Sequence, residues 1–259
     1  MSSIVDERGF NQGYQLSIAQ KARLQRRARA IVAEMRLPAE RNRKLDVHIL
    51  ELGCGTGELA FELAKIAGAR VTGADRSQKF IDYASANYRH PNLRFLVANF
   101  SDSSHGAADE KYDYIVGNGI LHHLYYRLDK FLPTLAFWLR PGGRLIFWEP
   151  NLKNPYVFLI FKIPALRRMA RLEPEEMAFT PRFIQRKLTT AGFCQVRAIT
   201  RDFLLPNTPA RLISPVVKIG DYLEKVPIVR GCAQSIFLTA TASYPRIALW
   251  ANLVEDQPL

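Results

Sequence analysis

An apolar run that breaks into alternate glycines and resumes as an amphipathic helix leaves a chain few folds to choose from, and residues 49–65, ILELGCGTGELAFELAK, are such a run. Residues 49–52 are short, apolar and β-prone, as expected of a buried parallel strand. The spacing then predicts a helix over 58–66 with Leu59, Leu63 and Ile66 on one face. Between the two, Gly53, Gly55 and Gly57 take every second position. Glycine allows positive φ and lets a ligand lie against the backbone with no Cβ in the way. Glu51 stands two residues ahead, so the pattern is E-x-G-x-G-x-G and not the dinucleotide fingerprint G-x-G-x-x-G. A pyrophosphate favours a helix N-terminus free of carboxylate, whereas a ligand with an ammonium or sulfonium group tolerates Glu51 close by. Taken by itself the stretch also fits a turn that binds nothing, and the rest of the chain has to decide.

The segments beyond the turn repeat the alternation of strand and helix. Gly68 closes the first helix, residues 69–74 read as a second strand ending at Asp75, and Ser77 caps a helix containing Phe80, Ile81 and Ala84. Asp75, with Arg76 beside it, lies 18 residues beyond Gly57. Nucleoside-binding α/β folds place an acid at about this distance to accept hydrogen bonds from ribose hydroxyls. A solvated acid at a strand end is the plainer account, and the spacing speaks against it. Residues 93–98 form a third strand ending at Asn99 and Phe100, a polar group and an aromatic suited to bind and flank an adenine ring. Residues 112–116 are a fourth, running into GNGILHHL at 117–124. Strand ends in a parallel sheet point the same way, so Gly53, Asp75, Asn99 and Asn118 are predicted to line one crevice at its carboxyl edge.

With these motifs in place the chain resembles the class I S-adenosylmethionine-dependent methyltransferases of the small-molecule type over about residues 45–200. ELGCGTG is similar to that family's first motif, VTGADRS holds its ribose-binding acid, ANF its adenine contact, ILHHL its fourth-strand motif and LRPGGRLIFWEP its fifth-strand signature. Asn99 departs from the Asp common in the family, and an amide oxygen still accepts from the adenine amino group. The resemblance implies a Rossmann-like, seven-stranded α/β sheet, mostly parallel with its last strand antiparallel and helices on both faces. It implies S-adenosylmethionine as cofactor, held by Glu51, Gly53, Gly55, Gly57, Asp75, Arg76, Asn99, Phe100 and Asn118, with no metal among the expected ligands.

Methyl transfer from a sulfonium is an in-line displacement, so a protein contributes by alignment and, for a hydroxyl acceptor, by removing a proton. His123 and His122 are the histidines near the crevice, and a neutral imidazole suits that task; His123 is preferred and Glu149, at the end of the fifth strand, is the rival base. Tyr14, Trp148, Phe158, Phe161 and Phe179 are candidates to wall an apolar acceptor pocket, although each reads equally as core.

Residues 1–45 are expected to form an arm and a basic cap helix, 46–243 the catalytic unit with insertions near 151–180 and 206–234, and 244–259 a tail. Ser17 and Gln20 make a capping box, and the arginines at 23, 26, 27 and 29 read first as a solvated face, second as a docking surface for phosphate or lipid headgroups. Residues 128–139 read as helix, Arg140-Pro-Gly-Gly as a turn into a strand over 144–148, Thr180-Pro181 as a helix start closed by Gly192, and 196–200 as a strand.

The net charge of +12 divides unevenly: 10 basic and 5 acidic residues in 1–48, 11 and 11 in 49–150, 15 and 8 in 151–259. The excess therefore sits on the flanks, where it serves an anionic substrate, an anionic membrane surface, an acidic partner or solubility alone. Nucleic acid is not the expected partner, because enzymes that methylate exocyclic base nitrogens resemble one another in a [ND]-P-P-[YF] motif and this chain has NGIL. Three scattered cysteines and an N-terminus without a basic-then-apolar pattern lead to a cytoplasmic location, with membrane association as its variant. The expected function is methyl transfer to a small, largely apolar acceptor, most often at oxygen. A quinone or membrane-lipid acceptor, and a non-methylating protein on the same fold, are its rivals.

Overall fold

The computed structural model describes residues 6–8, 17–35, 37, 47–99 and 110–243. Tyr14, Phe100, the linker at 38–46 and the tail from 244 lie outside them.

Seven strands, β1 (His48–Leu52), β2 (Arg70–Asp75), β3 (Leu93–Val97), β4 (Tyr112–Asn118), β5 (Leu139–Pro150), β6 (Phe193–Arg201) and β7 (Ser235–Ala242), form one sheet in the order β3-β2-β1-β4-β5-β7-β6. The pairs from β3 to β5 are parallel, and β7 runs antiparallel to both β5 and β6. The strand order reverses between β1 and β4, where an open parallel sheet leaves a crevice at its carboxyl edge.

Alternation along each central strand decides which helices cover which face. Ile49, Tyr114, Val116 and Ile146 point to one side, against Ala28 and Ile31 of α1 (Ile18–Glu34) and Leu59, Ala60 and Leu63 of α2 (Glu58–Ala67). Leu50, Leu52, Ile115, Leu145 and Phe147 point to the other, against α4 (Leu128–Trp138) and α7 (Pro181–Thr190). Burial on both faces is why these strands are nearly continuous apolar runs. The stripe of α2 that packs is Leu59, Ala60, Leu63 and Ala64, so Ile66, expected on that face, is exposed.

The expected starts and stops are present. Ser17 and Gln20 cap α1 reciprocally, Ser77 caps α3 (Gln78–Asn87), and Thr180 caps α7 with Pro181 in its first turn. Gly68 ends α2 in the left-handed conformation. Arg140-Pro-Gly-Gly differs from expectation: it is an outward loop inside a single long β5, whose register against β4 jumps from Leu139 to Arg144. The two insertions are helical, α5 (Pro155–Lys162) and α6 (Pro164–Met169) in the first, α8 (Ala210–Leu223) and α9 (Pro227–Arg230) in the second.

Candidate cofactor and acceptor site

The turn after β1 has Gly53, Gly55 and Gly57 at φ of 65°, 51° and 91°, all left-handed. A Cβ on Gly53 would stand 2.5 Å from Ile120 Cδ1, and one on Gly57 2.7 Å from Ala84 Cβ, whereas one on Gly55 would meet nothing within 4 Å. The outer glycines let the turn pack, and the middle one faces open space. Gly57→Ala should therefore lower stability by about 1 to 3 kcal/mol, the cost of a left-handed side chain, with the clash added. A lower urea midpoint than that of Gly68→Ala, which has positive φ but open space around it, would separate the two contributions.

Three carboxylates surround this turn. Glu51 in β1 is buried, and its Oε2 has no hydrogen-bond partner among the described residues. Burial, helped by the charges of Glu58 and Asp75, pushes its carboxyl well above the usual range. Burial raises Glu58 as well. Asp75 accepts from the Gly55 and Ser77 backbone N–H groups at 2.9 Å each, and burial outweighs those bonds to raise it too. Crowded, partly desolvated acids with an unpartnered oxygen accommodate a cationic ligand, so the residues present fit a sulfonium nucleoside bearing an ammonium group.

A second cluster lies past β4. His122 is buried between two acids, Nδ1 at 2.8 Å from Glu149 and Nε2 at 3.0 Å from Glu176. Burial alone would depress its pKa, but the hydrogen bonds and charges of Glu149 and Glu176 prevail and raise it to about 9. Glu176 is held low for the reciprocal reason, the His122 bond and charge exceeding the effect of burial. An imidazolium with both nitrogens engaged accepts no proton, so His122 does not fit the base role considered for it.

Nor does Glu149, which accepts from the backbone N–H groups of Ile120 at 3.0 Å, Leu121 at 2.8 Å and His122 at 3.3 Å. It thereby caps the 3₁₀ turn Leu121–Arg127. His123 is different: its side chain is 18% exposed, with Nδ1 at 3.3 Å from Glu173 and 3.7 Å from Glu176. His123 is also an electrostatic neighbour of Asp75, which joins the two clusters. Ligand atoms of His122, His123 and Glu176 lie within 4.8 Å of one another. The His122–Glu176 ion pair engages two of the three groups, so the arrangement is a charge network.

Glu173 and Glu176 were not singled out from the sequence. Their signal is that acids appear abruptly at 173–176 after five basic and no acidic residues in 151–172. Arg167 holds this turn through the carbonyls of Phe161, Glu173 and Glu176. Glu173 in turn binds Arg8 at 2.8 Å and Arg76 at 2.8 Å, and Glu7 accepts from the Lys79 N–H at the start of α3. Residues 6–8 thus cross the end of β2, and Arg76 faces acids of the chain itself.

Other expected residues are placed differently. Asn118 accepts from Arg27 at 2.6 Å, and Arg27 and Arg23 reach Asp202 at 2.9 and 2.5 Å while Arg26 reaches Asp221. Arg23 and Arg27, read as solvated, are therefore turned inward onto a buried acid of a distant segment, while the Arg26 pair stays at the surface. Trp148 is core, its ring tilted against Phe237 with centroids 4.5 Å apart, beneath the Arg27 guanidinium. Phe179 is buried in the α4–α7 face, Phe158 points outward, and Phe161 is buried with its ring edge 6.0 Å from His122. Asn99 is exposed just beyond β3.

A family profile described as "Methyltransferase domain" matches residues 49–143. The chain is 33% identical over 97 residues to a ubiquinone biosynthesis O-methyltransferase of Agrobacterium fabrum, covering 38% of each chain. It is 35% identical over 153 residues to O-methyltransferase cnsE of Penicillium expansum, covering 56% of this chain and 51% of that one. The alignments thus span about two fifths to one half of these relatives. Magnesium protoporphyrin IX methyltransferase from Synechocystis, solved with S-adenosylhomocysteine bound, superposes with a TM-score of 0.56 at 19% identity over 88% of this chain and 85% of that one, a likeness of fold. S-adenosylmethionine is the cofactor that goes with this domain. The matched profile, the strand order with its reversed β7 and the acid-flanked glycine turn lead to one conclusion: residues 49–143 carry a methyltransferase domain, and the fold around them is similar to that of S-adenosylmethionine-dependent methyltransferases.

Proposed function

We propose that the protein transfers a methyl group from S-adenosylmethionine to a hydroxyl oxygen of a small, largely apolar acceptor. The observation that carries this reading is His123, half-buried beside the ribose acid Asp75, with Nδ1 turned to Glu173. Glu51, the three glycines, Asp75 and Asn99, with the flanking Phe100, hold the cofactor, which supplies an electrophilic methyl on sulfur. Bound there, the cofactor would supply the methyl carbon to the acceptor oxygen, its bonding electrons staying with sulfur, and His123 would take the hydroxyl proton at Nε2. Glu173 orients the imidazole. His122, Glu149 and Glu176 keep the turn that carries His123 in place, and Asn118 with Arg27 does the same for the end of β4.

The test begins with cofactor binding. Asp75→Ala should weaken S-adenosylmethionine by about 1.5 to 3 kcal/mol, the worth of hydrogen bonds to a charged group, in a calorimetric titration. Unchanged affinity would remove Asp75 from the cofactor site. Transfer of labelled methyl to a panel of phenols and hydroquinones then separates an enzyme from a non-methylating protein on this fold.

A quinone or membrane-lipid acceptor is the second reading. It is supported by the relative named for ubiquinone biosynthesis and by apolar α5, whose inner face borders His122 through Phe161.

A further inference from the structure

α5 is apolar at six of its eight positions, yet only Val157 and Phe161 are buried. Tyr156, Phe158 and Leu159 face outward, followed by Ile163 and by Met169 of α6, which is 80% exposed. The same holds for α9, where Ile228 is 89% exposed. The two surfaces are joined: Asn154, the cap of α5, donates to the Cys232 carbonyl, and Asn151 donates to those of Gly231 and Ala233. A contiguous apolar surface of this kind marks an interaction site.

Its charge identifies the partner. Residues 151–172 contain five basic residues and no acid, and Lys153, Lys162, Arg168 and Arg171 are exposed around the apolar side chains. The two acids of 205–231, Asp221 and Glu224, are directed to Arg26 and Arg201. A second copy docked on this face would set like charges against each other, whereas an anionic bilayer offers the opposite charge across the whole patch and an apolar interior for the side chains at its centre. No helix among the described residues is long and apolar enough to cross a membrane, so the contact is peripheral.

We propose that α5, α6 and α9 form a docking surface for an anionic lipid bilayer. Such docking is independent of the transfer reading, because it needs neither cofactor nor acceptor. The experiment is cosedimentation of the full chain with vesicles of phosphatidylcholine alone or mixed with phosphatidylglycerol. The protein should pellet with the mixed vesicles and not the neutral ones, with partition falling as salt is raised. Met169→Glu combined with Ile228→Asp, and separately Lys162→Glu with Arg168→Glu, should each reduce partition by about tenfold or more. All four side chains are exposed, so the unfolding midpoint and S-adenosylmethionine affinity should be unchanged, which separates loss of docking from loss of fold or cofactor site. Equal pelleting with both vesicle types, variants that pellet like the parent, or a change from dimer to monomer in sedimentation velocity on mutating the patch would overturn the proposal.

Discussion

Glu149→Ala should destabilise the protein by about 3 to 5 kcal/mol, the range for removing one partner from a buried ion pair. The loss has two parts. The His122 imidazolium keeps only Glu176, and the N–H groups of Ile120, Leu121 and His122 lose their acceptor at the start of the turn. Glu149→Gln keeps an acceptor oxygen for the backbone and removes the charge, so its cost should be smaller. The same network predicts a pH dependence. His122 has its pKa raised from an ordinary 6.5 to about 9, so its stabilisation is complete below about 6.5 and disappears as pH rises through 9. Urea midpoints measured across that window should fall on the alkaline side, and the fall should be absent in His122→Gln. A flat profile in the parent protein would mean that His122 is neutral in the fold, and the three-group ion network would have to be abandoned.

His123→Ala should lower the turnover number by about 10² to 10⁴, the usual contribution of one general base, while leaving S-adenosylmethionine affinity nearly unchanged. The split follows from the proposed roles, in which the glycine turn and Asp75 hold the cofactor and His123 acts on the acceptor hydroxyl. The rate of the parent enzyme should rise with pH as one group deprotonates and then level off, and that limb should vanish in the variant. Glu173→Gln should lower kcat with a smaller effect, because it disturbs the orientation of the imidazole and leaves its nitrogen in place. Near-normal turnover in His123→Ala would leave catalysis to alignment alone, with the proton passing to solvent.

Much of the fold was legible before the structure because it is written in local terms. Strand alternation and helix spacing depend on neighbours a few residues apart, so β1, α2 and the Ser77 and Thr180 caps follow from the residues themselves. Positive φ strongly favours glycine, which made the 53–57 turn recognisable, and the 18-residue step to Asp75 is set by the length of one helix and one strand. The early start of β5 was missed for a local reason, since its Pro-Gly-Gly signals a departure from regular pairing without saying that the strand already begins before it, at Leu139.

Charge partners were not legible, because an ionisable residue has the same local pattern whether it is solvated or paired. Arg27 lies 175 residues from Asp202, Arg8 lies 165 from Glu173, and His122 lies 54 from Glu176. The sequence allowed a preference for His123 over its neighbour but did not show that His122 is locked between Glu149 and Glu176. Residue type and spacing by themselves determined the glycine turn, the alternation of strand and helix around it and the preference for His123. The removal of His122 and Glu149 from the base role came only from the tertiary structure, because burial and the distance to an opposite charge decide protonation and both are set by segments far away in the chain.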